Sequence, residues 1–227
     1  MQFKRIATAA ALLCTIGAAS AASWDLGSYT VDYDHTTDFE YLSGAFNADG
    51  GATGFSWTVP NTAQVYSDGD TVVTPVPLPS FTVTANTGWA LSNIQAFIGN
   101  LVYFEKGDGA TTGILIYADV SIDGGPVMSL SSGIDWEETF SSGTFRTGSF
   151  GQTFGPVVGG FTSIAVTNAY MDLSASGGEF SGITAQPQNK LEVSLVAMPV
   201  PEPETYAMML AGLGALGWMA RRRRTQG

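Results

Sequence analysis

Strict alternation of apolar and polar side chains is the feature that most constrains the fold of this chain. From Ile114 to Ile122 every second residue is apolar, and Asp119 and Ser121 take the opposite face. Successive side chains of a β-strand point to opposite faces of a sheet, so this pattern predicts a strand with one buried face. The segment from Lys190 to Ala197 alternates in the same way and predicts a second such strand.

Glycine-containing turn signals separate the alternating segments, and no segment between the two chain ends shows sustained 3.6-residue periodicity. The predicted fold class is therefore all-β. Short strands with one apolar face close best as a single two-sheet sandwich or jelly-roll-like domain. The remaining predicted strands are Tyr29–Tyr33, Phe55–Val59, Phe81–Thr84, Ile94–Ile98, Leu101–Glu105, Ile134–Phe140 and Thr162–Leu173.

The N-terminal residues are typical of a signal peptide. Lys4 and Arg5 precede an apolar segment, and Ala19-Ser20-Ala21 offers the small residues that a signal peptidase requires. We expect residues 1–21 to be removed. The only cysteine, Cys14, lies in this segment, so the mature chain is predicted to contain neither a disulfide nor a catalytic thiol.

The last thirty residues predict a membrane-sorting segment. A proline-flanked glutamate is followed by an uncharged stretch, residues 205–220, and then by an arginine cluster. Sixteen helical residues span roughly 24 Å, which is short for a hydrocarbon core of about 30 Å. The stretch is nevertheless predicted to be a short transmembrane helix, with the arginines on the cytoplasmic side. An ordinary membrane anchor, the alternative, needs no proline on both sides of a glutamate.

This tail resembles the PEP-CTERM sorting signal of exported proteins from Gram-negative bacteria that make exopolysaccharide. The resemblance implies recognition by an exosortase, a membrane-embedded cysteine peptidase that cleaves near the Pro-Glu-Pro. It also implies an inner-membrane intermediate and a final location at the cell surface or outside the cell. The same tail is also labelled an ice-binding protein C-terminal domain, a name that describes no activity of this chain. The residues that carry the resemblance are Val200, Pro201, Glu202 and Pro203, followed by Arg221, Arg222, Arg223 and Arg224, all within residues 199–227.

Residues 22–198 are left as one predicted domain, and this domain is strongly acidic. Eighteen acidic residues stand against Lys106, Arg146 and Lys190, so eighteen minus three gives a net charge near −15. Such a domain repels nucleic acid, which is bound through basic side chains at phosphates. It also repels anionic polysaccharide unless a cation bridges the two.

Candidates for catalysis are few. His35 is the only histidine, which disfavours a zinc site, and a catalytic triad would have to use it. Asp135 and Glu137 share one face of a predicted strand about 7 Å apart, a spacing suited to glycoside hydrolysis. With eighteen acidic residues such a pair is expected by coincidence, so the sequence predicts a protein that is not an enzyme, with a glycoside hydrolase as the alternative.

The segment from Asp119 to Gly124 imitates the first half of a calcium loop, with candidate ligands at Asp119 and Asp123. Leu130 occupies the twelfth position, where such a loop has its bidentate acid. An Asp-Gly dipeptide after an alternating strand is also a strong hairpin signal, and we favour that interpretation. Calcium stays an alternative, and no other cofactor is predicted.

An exposed aromatic side chain and a few hydrogen-bonding groups can suffice for carbohydrate binding, and Trp89, beside Gly88 after a turn, is the tryptophan expected to be most exposed. Two functions therefore follow from the sequence. The first is a non-enzymatic surface or matrix protein that an exosortase sorts and that associates with exopolysaccharide or biofilm. The alternative is a secreted carbohydrate-binding or carbohydrate-active domain.

Overall fold

The protein is described by a computed structural model that covers residues 21–34, 39, 42–47, 51–137, 145–157, 159–200 and 207–216, with the backbone alone at residues 21, 100, 134–137 and 145–157. This part of the chain is almost entirely β-structure, with one C-terminal helix. The strands are β1 Ala21–Asp25, β2 Tyr29–Asp34, β3 Leu42–Asn47, β4 Thr53–Thr58, β5 Gln64–Ser67, β6 Val72–Pro77, β7 Phe81–Ala85, β8 Trp89–Lys106, β9 Thr111–Ile122, β10 Met128–Glu137, β11 Phe145–Val157, β12 Ser163–Ser176, β13 Phe180–Thr184 and β14 Lys190–Pro199, and the helix α1 is 207–216.

The strands form two sheets, and all pairings among the described residues are antiparallel. The first sheet has the order β1-β2-β7-β12-β9-β10, and β6 pairs with the second half of β12. The second sheet has the order β3-β4-β14-β8-β13-β5, and β11 lies along the other side of β8. The predicted all-β, sandwich-like fold is confirmed.

Apolar side chains from both sheets fill the space between them, as expected from the alternating pattern. Phe55 is fully buried, and its ring centroid lies 5.4 Å from that of Trp57 and 5.6 Å from that of Phe81. Seven of the nine predicted inward positions of β9 and β14 are also buried, and Ile122 and Ala197 are half-buried against the core. The buried positions are Ile114, Ile116, Ala118, Val120, Leu191, Val193 and Leu195.

Sequence and structure differ along β8, where two separate strands were expected at Ile94–Ile98 and Leu101–Glu105. The structure has one continuous strand, because β11 pairs with it from Ile94 to Lys106 while β14 and then β13 pair on its other side. Gly99 and Asn100 therefore continue the strand. The strands that the sequence did not predict are β1, β3, β5, β6, β11 and β13.

The C-terminal helix lies within the stretch 205–220 that was predicted to span the membrane. No helix in the described part of the chain is long and apolar enough to do so. The ten residues of α1 rise about 15 Å, against roughly 30 Å of hydrocarbon. Residues 217–227, with the arginine cluster, lie outside the described residues.

Three glycine turns meet at one end of the sandwich, between β5 and β6, β8 and β9, and β12 and β13. Gly177 N donates a hydrogen bond to Gly69 O at 3.2 Å, and a Cβ at Gly177 would overlap the carbonyl oxygen of Gly109. Gly177 also has a φ of +69°, which L-residues with a side chain rarely adopt. This junction therefore requires glycine for two independent reasons.

The effect of the positive φ can be separated from that of the steric overlap by comparing Gly177→Ala with Gly124→Ala. Gly124 has nearly the same φ, +68°, but a Cβ there would meet nothing within 4 Å. We expect Gly124→Ala to lower the free energy of unfolding by about 1–2 kcal/mol through backbone strain alone. Gly177→Ala should lower it further, because the added methyl displaces the Gly109 turn. Equal losses in urea unfolding would show that the three turns do not pack tightly.

Candidate functional site

The sorting tail follows the last strand of the sandwich without a spacer. Met198 and Pro199 pair with Ala90 and Trp89 of β8, and Val200 N donates a hydrogen bond to Gly88 O at 2.8 Å. The described backbone pairing of the domain thus reaches the residue before Pro201. The predicted sorting residues Pro201, Glu202 and Pro203 lie outside the described part of the chain.

The tryptophans of the sandwich domain, which include the platform candidate Trp89, lie in different strands. Trp89 is half-buried and begins β8 beside the tail, and Trp24 is half-buried in β1. Trp57 is fully buried in the core, and its Nε1 has no hydrogen-bond partner within the described part of the chain. The side chain of Trp136 lies outside the described residues. A platform at Trp89 stays a prediction.

Asp123 connects the β9–β10 turn to the start of β12. Its Oδ1 accepts hydrogen bonds from Thr162 Oγ1 at 2.7 Å and from the backbone nitrogens of Thr162 and Ser163 at 2.8 Å each. These bonds, the Thr162 hydroxyl first, lower the pKa of Asp123 because they stabilise the charged carboxylate. The carboxylate therefore already serves as an acceptor for β12.

Asp119, the other calcium candidate, is also engaged within the protein. Its Oδ2 accepts a hydrogen bond from Asn168 Nδ2 at 2.9 Å and its Oδ1 accepts one from Ser129 Oγ at 2.6 Å. Both bonds lower its pKa, the one from Asn168 most strongly. No group of three or more His, Cys, Asp or Glu side chains able to hold a metal occurs within the described ranges.

The acid pair proposed for hydrolysis belongs to β10, since Asp135 and Glu137 are both in this strand. Their side chains, and all of His35, fall outside what the structure describes, so this pair stays a prediction. A different acid, Glu105, is almost completely buried. Its Oε1 accepts a hydrogen bond from Thr112 Oγ1 at 2.8 Å, and its Oε2 has no partner among the described side chains. Glu105 lines neither of the two cavities described below.

A pair of stacked tyrosines stands on the outer face of the first sheet. Tyr117 of β9 and Tyr170 of β12 are direct partners in the strand register, and their rings lie 4.7 Å apart at an interplanar angle of 21°. The neighbours Ile116 and Met171 are buried between the sheets, so both tyrosines point away from the core. Tyr170 is 38% exposed. The sequence analysis did not identify this pair.

A β-bulge in β12 brings the two tyrosines together. Thr167 pairs with Asp119, but the next pair is Tyr170 with Tyr117, so β12 contains one extra residue here. Asn168, with a φ of +49°, lies in the bulge and donates its side-chain hydrogen bond to Asp119. The extra residue reverses the alternation, which turns Tyr170 outward.

Two acidic side chains, Asp119 and Asp172, lie near the pair. The pKa of Tyr170 is raised, first by desolvation and then by the charges of Tyr117, Asp172 and Asp119, which oppose ionisation of the phenol. Ser131 of β10 is the register partner of Tyr117, and Pro77 of β6 is that of Tyr170. We name this surface the tyrosine face, defined by Tyr117, Tyr170, Asp119, Asp172, Asn168, Ser129, Ser131 and Pro77.

A second stacked pair provides a comparison on the other sheet. The rings of Tyr66 and Phe180 lie 5.9 Å apart at 24°, and Tyr66 is 45% exposed. Tyr66 is the register partner of Gly182, where a Cβ would overlap the tyrosine ring. This ring therefore covers a glycine of its own sheet, which distinguishes it from the Tyr117–Tyr170 pair.

Enclosed space for a ligand is small. An apolar cavity of about 60 Å³ lies between the sheets, where Ile98, Ile116 and Leu191 contribute to its walls. A second, more polar cavity of about 220 Å³ is lined by residues that include Tyr29 and Asn47. Both are below the roughly 300–1,000 Å³ that is usual for ligand pockets. Neither cavity is therefore large enough for an extended ligand.

Comparison with protein families identifies the tail. Residues 199–224 match the PEP-CTERM protein-sorting motif, which confirms the resemblance seen in the sequence. The match covers the tail and leaves the sandwich unassigned. No curated protein sequence matches the chain.

Comparison with solved structures gives matches of low similarity. The infectious bursal disease virus Gx strain structure has 13% identity and a TM-score of 0.25, covering 79% of this chain and 52% of the viral one. The T13 particle of the same virus has 14% identity and a TM-score of 0.26, covering 78% and 50%. The carbohydrate-binding module TmCBM61, in complex with β-1,4-galactotriose, has 10% identity and a TM-score of 0.19, covering 77% and 90%. This chain spans about half of the viral chains, and at these TM-scores none of the matches supports a functional argument.

Asp123→Asn tests whether the Asp123 carboxylate holds β12 in place. Asparagine tolerates the positive φ of 50° at this position, so the change removes mainly the charge. A carboxylate whose folded pKa is depressed stabilises the protein above its unfolded pKa, and this stabilisation is lost as the pH falls through the folded value. We expect the variant to be less stable than the wild type near pH 7, and the difference to shrink below about pH 3.8.

The measurement is urea unfolding at several pH values, with Asp108→Asn, in the β8–β9 turn, as the matched control. This control should change stability little. A wild-type advantage over Asp123→Asn that stayed constant at low pH would contradict the assigned role of the charge.

Proposed function

We propose that this protein is an exported, non-enzymatic surface protein that an exosortase recognises and cleaves at its C-terminal tail, and that its sandwich domain associates with exopolysaccharide. The observation that carries the proposal is the match of residues 199–224 to the PEP-CTERM protein-sorting motif. The motif supports recognition by an exosortase and sorting to the bacterial surface. The association with exopolysaccharide or biofilm is the further step that we add.

The position of the tail supports processing of a folded domain. β14 is an interior strand, paired with β4 on one side and β8 on the other, and it ends at Pro199. Cleavage near the Pro-Glu-Pro therefore leaves both partners of β14 in place. At the other end, removal of residues 1–21 by signal peptidase leaves four of the five residues of β1.

The charge of residues 22–198 supports an extracellular location. A net charge near −15 favours solubility and disfavours nucleic acid as a partner. We propose that the export intermediate meets the exosortase at the inner membrane of a Gram-negative cell. The product then resides at the cell surface or in the extracellular matrix.

A secreted carbohydrate-binding or carbohydrate-active domain is the second candidate function. A stacked aromatic pair on an outer face, with Tyr170 exposed, Tyr117 half-buried and polar neighbours, favours binding over hydrolysis. Trp89 is a second candidate platform, and Asp135 with Glu137 is the candidate pair for hydrolysis. Glycan hydrolysis that disappeared in Glu137→Gln would establish the enzyme and overturn the non-enzymatic proposal.

Mass spectrometry of the protein isolated from its host tests the sorting step. We expect a mature form that begins at Ala22 and lacks residues 221–224. Glu202→Gln should leave the tail uncleaved, because it alters the acidic residue between the two prolines. Glu204→Gln, a matched acidic position just after the Pro-Glu-Pro, should be processed like the wild type. A mature wild-type form that retained Arg221 in cells with an active exosortase would contradict the proposal.

A further inference from the structure

We propose that the tyrosine face is the glycan-binding site of this protein and that its ligand is a neutral polysaccharide whose pyranose rings pack against Tyr117 and Tyr170. This inference rests on the proposed association with exopolysaccharide and names the surface that makes the contact.

The ring geometry leaves room for a ligand. The two rings stack on each other at 4.7 Å, so each has a second face that the other ring does not cover. The free face of Tyr117 is on the side of β10, whose partner residue is the small, exposed Ser131. The free face of Tyr170 is on the side of β6, beside the exposed Pro77. An aromatic ring face next to a small or short side chain offers a flat apolar surface, on which the apolar face of a pyranose can pack.

Hydrogen-bonding groups border the rings. An ionised carboxylate has about four acceptor sites, so Asp119 keeps capacity after its bonds to Ser129 and Asn168. The same two bonds hold this carboxylate in a fixed orientation. Asp172 lies two residues after Tyr170 on the same face of β12, and its charge acts on the Tyr170 phenol. Sugar hydroxyls, which donate hydrogen bonds, find acceptors at both positions.

The negative charge of the domain disfavours some of the ligands that stack on aromatic rings. Nucleic acid bases also stack on tyrosine, but the phosphates of a nucleic acid require basic side chains. The domain has only three basic residues against eighteen acidic ones. An anionic polysaccharide meets the same repulsion. A second copy of this chain would bring two further carboxylates against Asp119 and Asp172. A neutral glycan offers ring faces and hydroxyl donors without an opposing charge.

The β-bulge in β12 supports a binding role for the tyrosine face. Without the extra residue at Asn168, the alternation that buries Ile164 would turn Tyr170 toward the core. The structure therefore exposes a large aromatic side chain by means of a local irregularity, and the bulge residue itself donates the hydrogen bond that orients Asp119. Bulges that redirect a side chain in this way are frequent beside functional sites.

The test uses the mature protein purified from its host and measures retardation in gels that contain a polysaccharide. The probes are the host's own exopolysaccharide, neutral hydroxyethyl cellulose and anionic alginate. We expect binding to one or both of the first two, and none to alginate. Tyr117→Ala and Tyr170→Ala should each weaken binding about tenfold or more, whereas Tyr66→Ala, at the other stacked pair, should not change it.

Thermal unfolding of each variant controls for folding. If an alanine variant does not fold, Tyr117→Leu and Tyr170→Leu keep the apolar volume and remove the aromatic plane, and they should also weaken binding. Tyr170→Phe keeps the plane and should retain most of the affinity.

Wild-type affinity in folded Tyr117 and Tyr170 variants would overturn this inference. Loss of binding in Trp89→Ala alone would also overturn it, while the association with exopolysaccharide would stand. Dimers that disappear in Tyr170→Ala would assign the face to a second copy and overturn it likewise. Absence of binding to all three probes would overturn both this inference and the exopolysaccharide association, whereas the sorting step is decided separately by the mature C-terminus.

Discussion

Burial of apolar side chains between the two sheets is the interaction on which the rest of the structure depends. The chain has a single cysteine, so no disulfide can form within it. The Lys106–Glu179 ion pair is half exposed, and such pairs contribute little. Each buried Å² of apolar surface contributes roughly 25 cal/mol, so side chains such as Phe55 and Trp57 carry far more. The inner faces are therefore constrained, and the outer faces are free to carry function.

The contrast between constrained inner faces and free outer faces explains which parts of the fold could be predicted. The strands β9 and β14 were predicted together with their buried faces, because strict alternation reports a face that packs on a core. The strand β6 was missed because it contains Pro75 and Pro77, which an edge position tolerates. The strand β11 was missed because it is rich in glycine, serine and threonine. In both, pairing with a longer neighbour, and not local sequence, determines the strand.

The candidate site was harder to predict than the fold, since it depends on one inserted residue. The sequence treats Thr162–Leu173 as a single alternating strand, which places Tyr170 on the same side as Ile164. The bulge at Asn168 reverses that parity, and a one-residue irregularity leaves no periodic signal. Tyr117 did carry a readable signal, because it is an aromatic residue on the polar face of β9. The calcium-like spacing of Asp119 and Asp123 likewise arises from two carboxylates that orient neighbouring strands.

The position of the two functional elements on different sheets makes them independent. The tail leaves from β14 in the second sheet, whereas the tyrosine face is the outer surface of β9 and β12 in the first. Because β14 contributes its buried side chains to the core between the sheets, the end of this strand and the outer surface of the first sheet lie on opposite sides of that core. The strand partners of Tyr117 and Tyr170 are in β6, β9, β10 and β12, so cleavage of the tail removes none of them. Processing then determines where the domain resides, while the bulge in β12 determines what it presents there.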